Sequence, residues 1–511
     1  MRKLLSLGIL VSVLMLGACS SLEDVNVAYL PSANQDDYQT GESYQEIVEN
    51  DFFAVSDFPV STFSTDVDTA SYANLRRYIE SGELPPKDAV RIEEMINYFT
   101  YDLAGPTEGE VINIHTELSL APWNINHQLM MVGLKTEDIV FEDTAGMNLV
   151  FLIDVSGSMF ADNKLPLLKQ AMALLVEQLR PQDRISMVVY AGAAGVVLEG
   201  GDATNKEEIL NALDALQAGG STAGGAGIEL AYNVAERNFI EGGNNRIILA
   251  SDGDFNVGLS SVDALEDLIS EKKESGVFLS VLGFGTGNLR DDIMESLADH
   301  GNGVYYYIDS YLEAEKVFMH QLGATMVTVA KDVKLQIEFN PLHVKGYRLI
   351  GYENRILDYE DFEDDTKDAG DMGSGHVVIA FYEIIPASSN ESVEPKTSEL
   401  PPILRYDGDN YVDEFMNIAI RYKHPDEGTS MLIEEQLMVS AFTINPSETF
   451  RFASSVVEFG LLLRDSAYKY NASFDQIIER ANASLGTDER GYREEFIELV
   501  MKAEMIYNRL S

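Results

Sequence analysis

Cysteine is almost absent from this chain of 511 residues, and its one example is Cys19. A lone thiol has no second cysteine in the chain with which to form a disulfide. Packing must therefore stabilise the fold. The length, together with 45% hydrophobic residues, predicts a large folded protein with more than one domain.

Basic residues are scarce as well, with 36 Lys and Arg against 84 Asp and Glu, which gives a formal net charge of −48 at pH 7. So negative a surface repels polyanions. The composition therefore excludes nucleic acid, or an anionic bilayer surface, as the main partner. It leaves the oligomeric state open.

The common catalytic motifs are lacking. The seven histidines are scattered without an H-E-x-x-H pair, and Ser156 does not lie in a G-x-S-x-G elbow. The glycines of 283–287 have no phosphate-loop lysine and complete no G-x-G-x-x-G pattern, so they predict a turn. We expect no enzymatic activity, and we assign no catalytic or cofactor-binding residues.

One apolar stretch, residues 4–16, stands out near the start, but it is too short to span a bilayer comfortably. It follows a basic start and precedes Leu-Gly-Ala-Cys19. The pattern resembles a bacterial lipoprotein signal, which implies cleavage before Cys19 and a lipid on its sulfur. We expect a protein anchored to a cell membrane through that lipid. The alternative is a plain secretory peptide with an incidental cysteine.

Ser20 follows the cysteine, where an Asp would signal retention at the inner membrane of a Gram-negative cell. The resemblance therefore implies the outer membrane if the source is Gram-negative. Whether the body faces the periplasm or the exterior is left open.

The most informative feature that is present is a strand of apolar residues that ends abruptly in Asp154. We expect the loop after it to fold Ser156 and Ser158 back toward this carboxylate. A later glycine-rich loop carries Thr222, and a second buried strand ends just before Asp252. Carboxylate and hydroxyl oxygens gathered in this way predict a metal cradle.

This order of residues, D-x-S-x-S, then a Thr about sixty residues on, then a strand-terminal Asp-Gly, resembles the metal-ion-dependent adhesion site of von Willebrand factor type A (VWA) domains. The resemblance implies that the metal ligands are Asp154, Ser156, Ser158, Thr222 and Asp252. In the alternative, the two serines cap a helix that begins near residue 163, and Asp252 opens a turn.

Mg²⁺ suits such a site, because it takes six oxygens and neutral hydroxyls leave it electrophilic. Mn²⁺ and Ca²⁺ remain open. The resemblance implies that a partner protein supplies an Asp or Glu as a further ligand. The expected function is divalent-cation-dependent protein interaction by a lipid-anchored cell-envelope protein. The alternative is a subunit of an envelope enzyme or maturation complex that recruits a chaperone-like ATPase or a substrate.

Residues 145–310 contain continuous apolar strands separated by amphipathic helices, a pattern typical of a parallel sheet covered on both faces. We therefore expect an α/β, doubly wound, Rossmann-like VWA domain. Asp154 and Asp252 end two of its strands, where such folds bind ligands.

Strands that alternate apolar and polar residues flank this domain on both sides, for example 114–120, 333–339 and 416–422. They predict a β-sandwich-like domain into which the VWA domain is inserted. In the first of them, Ile114, Thr116, Leu118 and Leu120 are expected to share one face.

Helical regions are expected near both ends, and both resemble the corresponding regions of a bacterial subfamily of VWA lipoproteins. Asp66 and Asp68 precede the first helix. No acidic ligand or glycine follows them at the spacing of a calcium-binding loop, so we expect a structural role for both. The expected organisation is signal peptide 1–18, flexible tether 19–60, N-terminal helical region 61–103, β domain 104–144, VWA domain 145–310, β domain 311–454 and C-terminal helical domain 455–511.

Overall fold

The computed structural model describes residues 41–140, 144–221, 224–253, 262–321, 327–396, 404–406, 410–425 and 427–510. Their strands are β1 Phe53–Ala54, β2 Val60–Ser64, β3 Ile112–Ala121, β4 Asn124–Thr136, β5 Met147–Asp154, β6 Arg184–Tyr190, β7 Ala194–Asp202, β8 Asn244–Ser251, β9 Val277–Phe284, β10 Tyr305–Ile308, β11 Thr328–Phe339, β12 Val344–Ile350, β13 Ile356–Leu357, β14 Gly370–Gly373, β15 Val377–Pro386, β16 Glu414–Lys423 and β17 Met431–Met438. Their α-helices are α1 Ala70–Glu80, α2 Ile92–Asn97, α3 Leu165–Gln178, α4 Lys206–Asp214, α5 Gly224–Arg237, α6 Val262–Lys273, α7 Asp291–His300, α8 Tyr311–Lys316, α9 Glu448–Leu463, α10 Phe474–Asn482 and α11 Tyr492–Leu510. Among these described helices, none combines the length and apolar character needed to cross a membrane.

The first architectural unit is an α/β body, residues 147–321, built on a six-stranded sheet of order β10-β9-β8-β5-β6-β7. Its strands run parallel except β7, which pairs antiparallel with β6. The first strand of the body, β5, lies beside the fourth, β8, and the chain winds outward from this pair in both directions. This is the topological switch point of a doubly wound fold, as the sequence predicted.

Strand β5 shows why the apolar runs of the body are continuous. Leu149, Phe151 and Ile153 pack with α3 and α4 on one face of the sheet. Val150 and Leu152 pack with α5, α6 and α7 on the other. Because successive side chains point to opposite faces, a strand covered on both sides needs apolar residues at every position.

Two antiparallel sheets form one β-sandwich, whose strands come from the chain before and after the α/β body. One has the order β1-β12-β15-β4-β3, and the other has the order β13-β2-β11-β16-β17 with β14 paired to β11. Their inner faces share one core, to which β11 contributes Val333, Leu335, Ile337 and Phe339. The α/β body is inserted between β4 and β11, so the predicted insertion into a sandwich-like domain is confirmed.

The alternation predicted for 114–120 fails at its end. Leu120 is 40% exposed, whereas Ser119 is buried. Ser119 is paired with Leu129, which lies in the core formed by the terminal helices, so the other face of this strand is covered as well; Leu120 is the last residue before the register with β4 shifts.

The helices near the two ends of the chain pack into a single helical cluster, formed by α1, α2, α9, α10 and α11. Phe99, after α2, makes ring contacts with Phe452 of α9 at 5.0 Å and with Phe496 of α11 at 5.7 Å. Helix α9 begins earlier than the predicted residue 455, because Ser447 caps it by accepting a hydrogen bond from the N–H of Phe450.

The flexible tether predicted to reach residue 60 is wrong for residues 41–60. Strand β1 pairs with β12, and the N–H of Ser43 donates to the carbonyl of Leu289 at 3.0 Å. Glu42 forms an ion pair with Arg77 at 2.9 Å. These short, polar contacts satisfy the backbone without a long hydrophobic pattern, so periodicity could not reveal them.

Two further domain boundaries differ between the prediction and the structure. Strand β2 belongs to the sandwich, although the predicted N-terminal helical region began at residue 61. At the other limit, α8 and the residues after it belong to the α/β body, because Ala314, Val317 and Phe318 lie in the same core as β5 and α3. The body therefore continues past the predicted boundary at residue 310.

Candidate metal centre

Asp154 is the last residue of β5, and its side chain is fully buried. Oδ1 accepts a hydrogen bond from the N–H of Ser156 at 2.8 Å, and Oδ2 accepts one from the Ser251 hydroxyl at 3.3 Å. Burial raises the pKa of Asp154 to about 6, and the nearby Asp252 carboxylate adds to that rise. The first bond folds the following loop back over the strand end, as the sequence predicted.

A short 3₁₀ turn, Gly157–Phe160, contains Ser158, and Ser156 directly precedes it. It places the hydroxyl oxygens of Ser156 and Ser158 2.9 Å apart. Neither serine caps α3, since Lys164 holds the N-cap position and that cap has no side-chain hydrogen bond. The alternative in which the two serines serve as caps of that helix is therefore wrong.

Two backbone hydrogen bonds bring the glycine-rich loop beside this turn. The N–H of Gly157 donates to the carbonyl of Gly220 at 3.1 Å, and the N–H of Gly219 donates to the carbonyl of Val155 at 2.8 Å. Gly220 adopts a φ of 90°, which favours glycine. Thr222 lies outside the described residues.

Asp252 follows β8 directly and is fully buried. Lys164 donates from Nζ to Asp252 Oδ2 at 2.8 Å and to Asn288 Oδ1 at 3.0 Å. Gly253 has a φ of 91°, and a Cβ on it would lie 2.5 Å from the backbone nitrogen of Arg290. Only glycine fits this approach between the two strand-end loops.

Sequence reasoning missed three residues of this site: Lys164, Ser251 and Asn288. Ser251 adjoins Asp252, so its position at a strand end was a usable signal. Asn288 follows the glycines of 283–287, where the predicted turn is confirmed by positive φ angles at Gly285 and Gly287. Nothing in the sequence pointed to Lys164, because a long side chain crosses from one loop to another.

The residues present fit a hard divalent cation. Asp154, Asp252 and Ser156 are buried at the edge of the sheet, Ser158 is partly exposed there, and all four offer oxygen ligands. One turn residue beyond them, Phe160, is 81% exposed, so the site opens at the surface. The described geometry gathers four of the five predicted ligands, and their binding of a metal stays a prediction.

Asp66 and Asp68 do not belong to this site. They lie before α1 and face Arg355, whose guanidinium nitrogens are 3.2 Å from Asp66 and 3.5 Å from Asp68. This ion pairing agrees with the structural role expected for them.

The fold and the residues at the switch point define a protein with a VWA domain. A family model described as von Willebrand factor type A domain matches residues 148–320. A model described as von Willebrand factor matches residues 38–131, and one described as the C-terminal part of uncharacterized protein YfbK matches residues 324–506.

Uncharacterized protein YfbK of Escherichia coli K12 is 43% identical to this chain over 475 residues, which cover 90% of the chain and 81% of that protein. The chain belongs to the YfbK family.

Two solved structures are more distant. A von Willebrand factor type A protein from Catenulispora acidiphila has 14% identity and a TM-score of 0.43, and the match covers 77% of this chain and 90% of that one. Mussel proximal thread matrix protein 1, solved with zinc in its adhesion-site motif, has 24% identity and a TM-score of 0.31 over 38% of this chain and 47% of that one. Because both TM-scores are low, the assignment to proteins with a VWA domain depends on the family model and on the strand order.

Proposed function

We propose that this protein binds a partner protein through a divalent cation held by Asp154, Ser156, Ser158, Thr222 and Asp252. The observation that carries the proposal is the layering of the site. Asp154, Asp252 and Ser156 are buried, whereas Ser158 is partly exposed on a turn that reaches the surface at Gly157 and Phe160. A cation bound between them is coordinated by the chain on one side and is open to a partner on the other.

Charge explains why the partner would offer a carboxylate. The two buried carboxylates and the Lys164 ammonium together carry one negative charge. A divalent cation makes the site net positive, and an Asp or Glu of the partner restores neutrality while completing the coordination. Mg²⁺ is the expected ion, with Mn²⁺ and Ca²⁺ as the other candidates.

The site favours binding over catalysis. Catalytic metal centres commonly use histidine ligands and a base beside an activated water, whereas this set consists of carboxylates and hydroxyls. When bound, the ion supplies an electrophilic point for an incoming carboxylate. The chain's own residues hold the ion and orient the turn.

Calorimetry with Mg²⁺ and Mn²⁺ tests the site. Wild-type protein should bind one equivalent at this site and Asp154→Ala none there. Asp162→Ala is the matched control, because it removes an exposed carboxylate from the same loop. Equal binding by wild type and Asp154→Ala would overturn the proposal.

Pull-downs from envelope extracts test the partner. A partner that requires the ion should be lost in chelator and with Thr222→Ala, yet survive a moderate rise in salt because direct coordination is short-ranged. The acidic surface repels an acidic partner at long range. Salt screens this repulsion, so the association rate should increase as the salt concentration rises. Retention of the partner in chelator would show that recognition lies elsewhere.

We also propose that a lipid on Cys19 anchors the protein to a cell membrane, the outer membrane in a Gram-negative cell. The basis is the single cysteine in its signal-like context. Cys19→Ser should yield protein that leaves the membrane fraction and incorporates no labelled fatty acid. Continued labelling of that variant would contradict the anchor.

A further inference from the structure

A second group of acidic side chains lies between the helical cluster and the α/β body. Asp68 precedes α1, Glu94 lies in α2 and Glu295 lies in α7. Each of the three is 2% exposed. One carboxylate oxygen from each lies within 4.8 Å of the others, so the three converge on one point.

The charge around this point is strongly unbalanced. Arg91 pairs with Glu94, with Asp291 at 2.6 Å and with Glu295 at 3.4 Å. On the other side is Arg355, which pairs with Asp68 and also with Asp66 and Asp299. Two guanidinium groups thus face six carboxylates among the described residues. Buried charge of one sign is costly, so the group requires protons or a further cation.

Within the described part of the chain, two of the converging carboxylates have an oxygen without a hydrogen bond. Asp68 uses Oδ1 to accept from the N–H of Tyr305 at 2.7 Å, but no described residue donates a hydrogen bond to its buried Oδ2. Glu295 accepts from Asn354 with Oε1 at 2.7 Å, and its buried Oε2 likewise accepts no hydrogen bond from the residues that the structure describes. Their nearest cations are guanidinium nitrogens at 3.5 and 3.4 Å. Buried acceptors left in this state point to a missing ligand.

A cavity of about 160 Å³ borders the group at Glu295. Its lining includes Arg91 and Glu295 together with three more acids, Glu46, Glu93 and Glu353. An acidic passage attracts cations, and its volume holds several waters. Arg91, which lines the same cavity, has a buried Nη2 without a hydrogen-bond partner among the described residues.

Protons are the competing occupant. Burial raises the pKa of Glu94 to about 8 and that of Asp68 well above its ordinary value. Protonation would neutralise these groups one at a time, whereas a divalent cation serves all three carboxylates together. The experiment below separates the two.

We propose that Asp68, Glu94 and Glu295 form a second divalent-cation site, with Ca²⁺ as its expected ion, at the junction of the helical cluster and the α/β body. Ca²⁺ binds oxygens at about 2.3–2.6 Å, so ligands on opposite sides of it lie about 4.6–5.2 Å apart, which accommodates the observed spacing. Waters from the cavity complete its coordination. The ion fastens the inserted body to its host.

Equilibrium dialysis of the full-length protein against Ca²⁺ at physiological ionic strength tests this site in four forms. Wild type should bind two equivalents, Asp154→Ala one, Glu295→Gln one, and the double variant none. Gln keeps the volume of Glu and can still accept the hydrogen bond from Asn354. Because the two sites are removed separately, failure of the adhesion site and failure of this one give different patterns.

Glu46→Gln is the matched control, since it removes an exposed acid at the mouth of the same cavity and should bind as wild type does. Thermal unfolding supplies a second measurement. Ca²⁺ should raise the melting temperature of Asp154→Ala but not that of the double variant, and Asp68→Asn should behave as Glu295→Gln does. No Ca²⁺ bound by Asp154→Ala, or equal binding by Asp154→Ala and the double variant, would overturn the proposal and assign the group to protons.

Discussion

Replacing Asp154 by Asn separates the cost of burying a carboxylate from its use in binding a metal. Its pKa rises from an ordinary value of 3.8 to about 6 in the folded protein. At about 1.4 kcal/mol per tenfold change in proton affinity, this corresponds to about 3 kcal/mol of destabilisation once the carboxylate is ionised. Asn occupies the same space, and its Oδ1 still accepts from the N–H of Ser156.

The sign follows from proton linkage. The folded state holds this proton more tightly than the unfolded state, so stability falls as pH rises from about 4 to about 6 and the full cost applies above that range. In chelator, Asp154→Asn should therefore be more stable than wild type by about 3 kcal/mol at pH 7.5 and by about half of that at pH 5.

Saturating Mg²⁺ should nearly close the gap at pH 7.5. At 100 times its dissociation constant, the ion stabilises wild type by about 2.7 kcal/mol and leaves the variant unchanged. Urea unfolding with and without chelator measures both effects, and Asp162→Asn in the same loop should change neither. If Asp154→Asn is less stable than wild type in chelator at pH 7.5, the carboxylate is not held at an electrostatic cost and the reasoning fails.

Three further predictions concern the surroundings of the two metal-site loops and the sandwich. Gly253→Ala should lower stability by more than about 2 kcal/mol and weaken Mg²⁺ binding, because its Cβ meets backbone at 2.5 Å. The control is Gly287→Ala, which has a similar φ and open space around its Cβ and should cost only about 1 kcal/mol. Urea unfolding and calorimetry compare the two variants. Lys164→Met should cost about 3 kcal/mol in chelator, because it removes the ammonium from the buried Asp252, and Mg²⁺ should then stabilise the variant more than wild type; an equal Mg²⁺ effect would contradict this. Burial lowers the pKa of His127, but two hydrogen-bonded carboxylates raise it above its ordinary value overall. The charged imidazole therefore stabilises the fold at low pH, and His127→Gln should lose more stability at pH 6 than at pH 9. Urea midpoints that differ from wild type equally at both pH values would refute this prediction.

The sequence by itself determined the α/β body and the local part of its metal site. Strands covered on both faces must be apolar at each position. Continuous apolar segments that end at Asp154 and just before Asp252 therefore predict β5 and β8. The two serines follow within four residues of Asp154, and local chain geometry folds them back. Parallel neighbouring strands then bring both acids to one edge.

Only the tertiary structure decided which distant groups meet. Lys164 reaches Asp252 and Asn288 from the start of α3, and no periodicity records where a flexible side chain ends. Residues 41–60 pair with the α/β body at Ser43 and with the sandwich at β1, and both pairings depend on backbone hydrogen bonds, which any sequence can supply.

The buried acidic group makes the same point most clearly. Asp68, which spacing along the chain gave no reason to treat as a ligand, meets Glu94 and Glu295 only after the helical cluster packs against α7. Spacing rules describe ligands carried by one loop, whereas this group is assembled from three segments by packing. The burial that brings these carboxylates together is also the reason that they require a counter-charge.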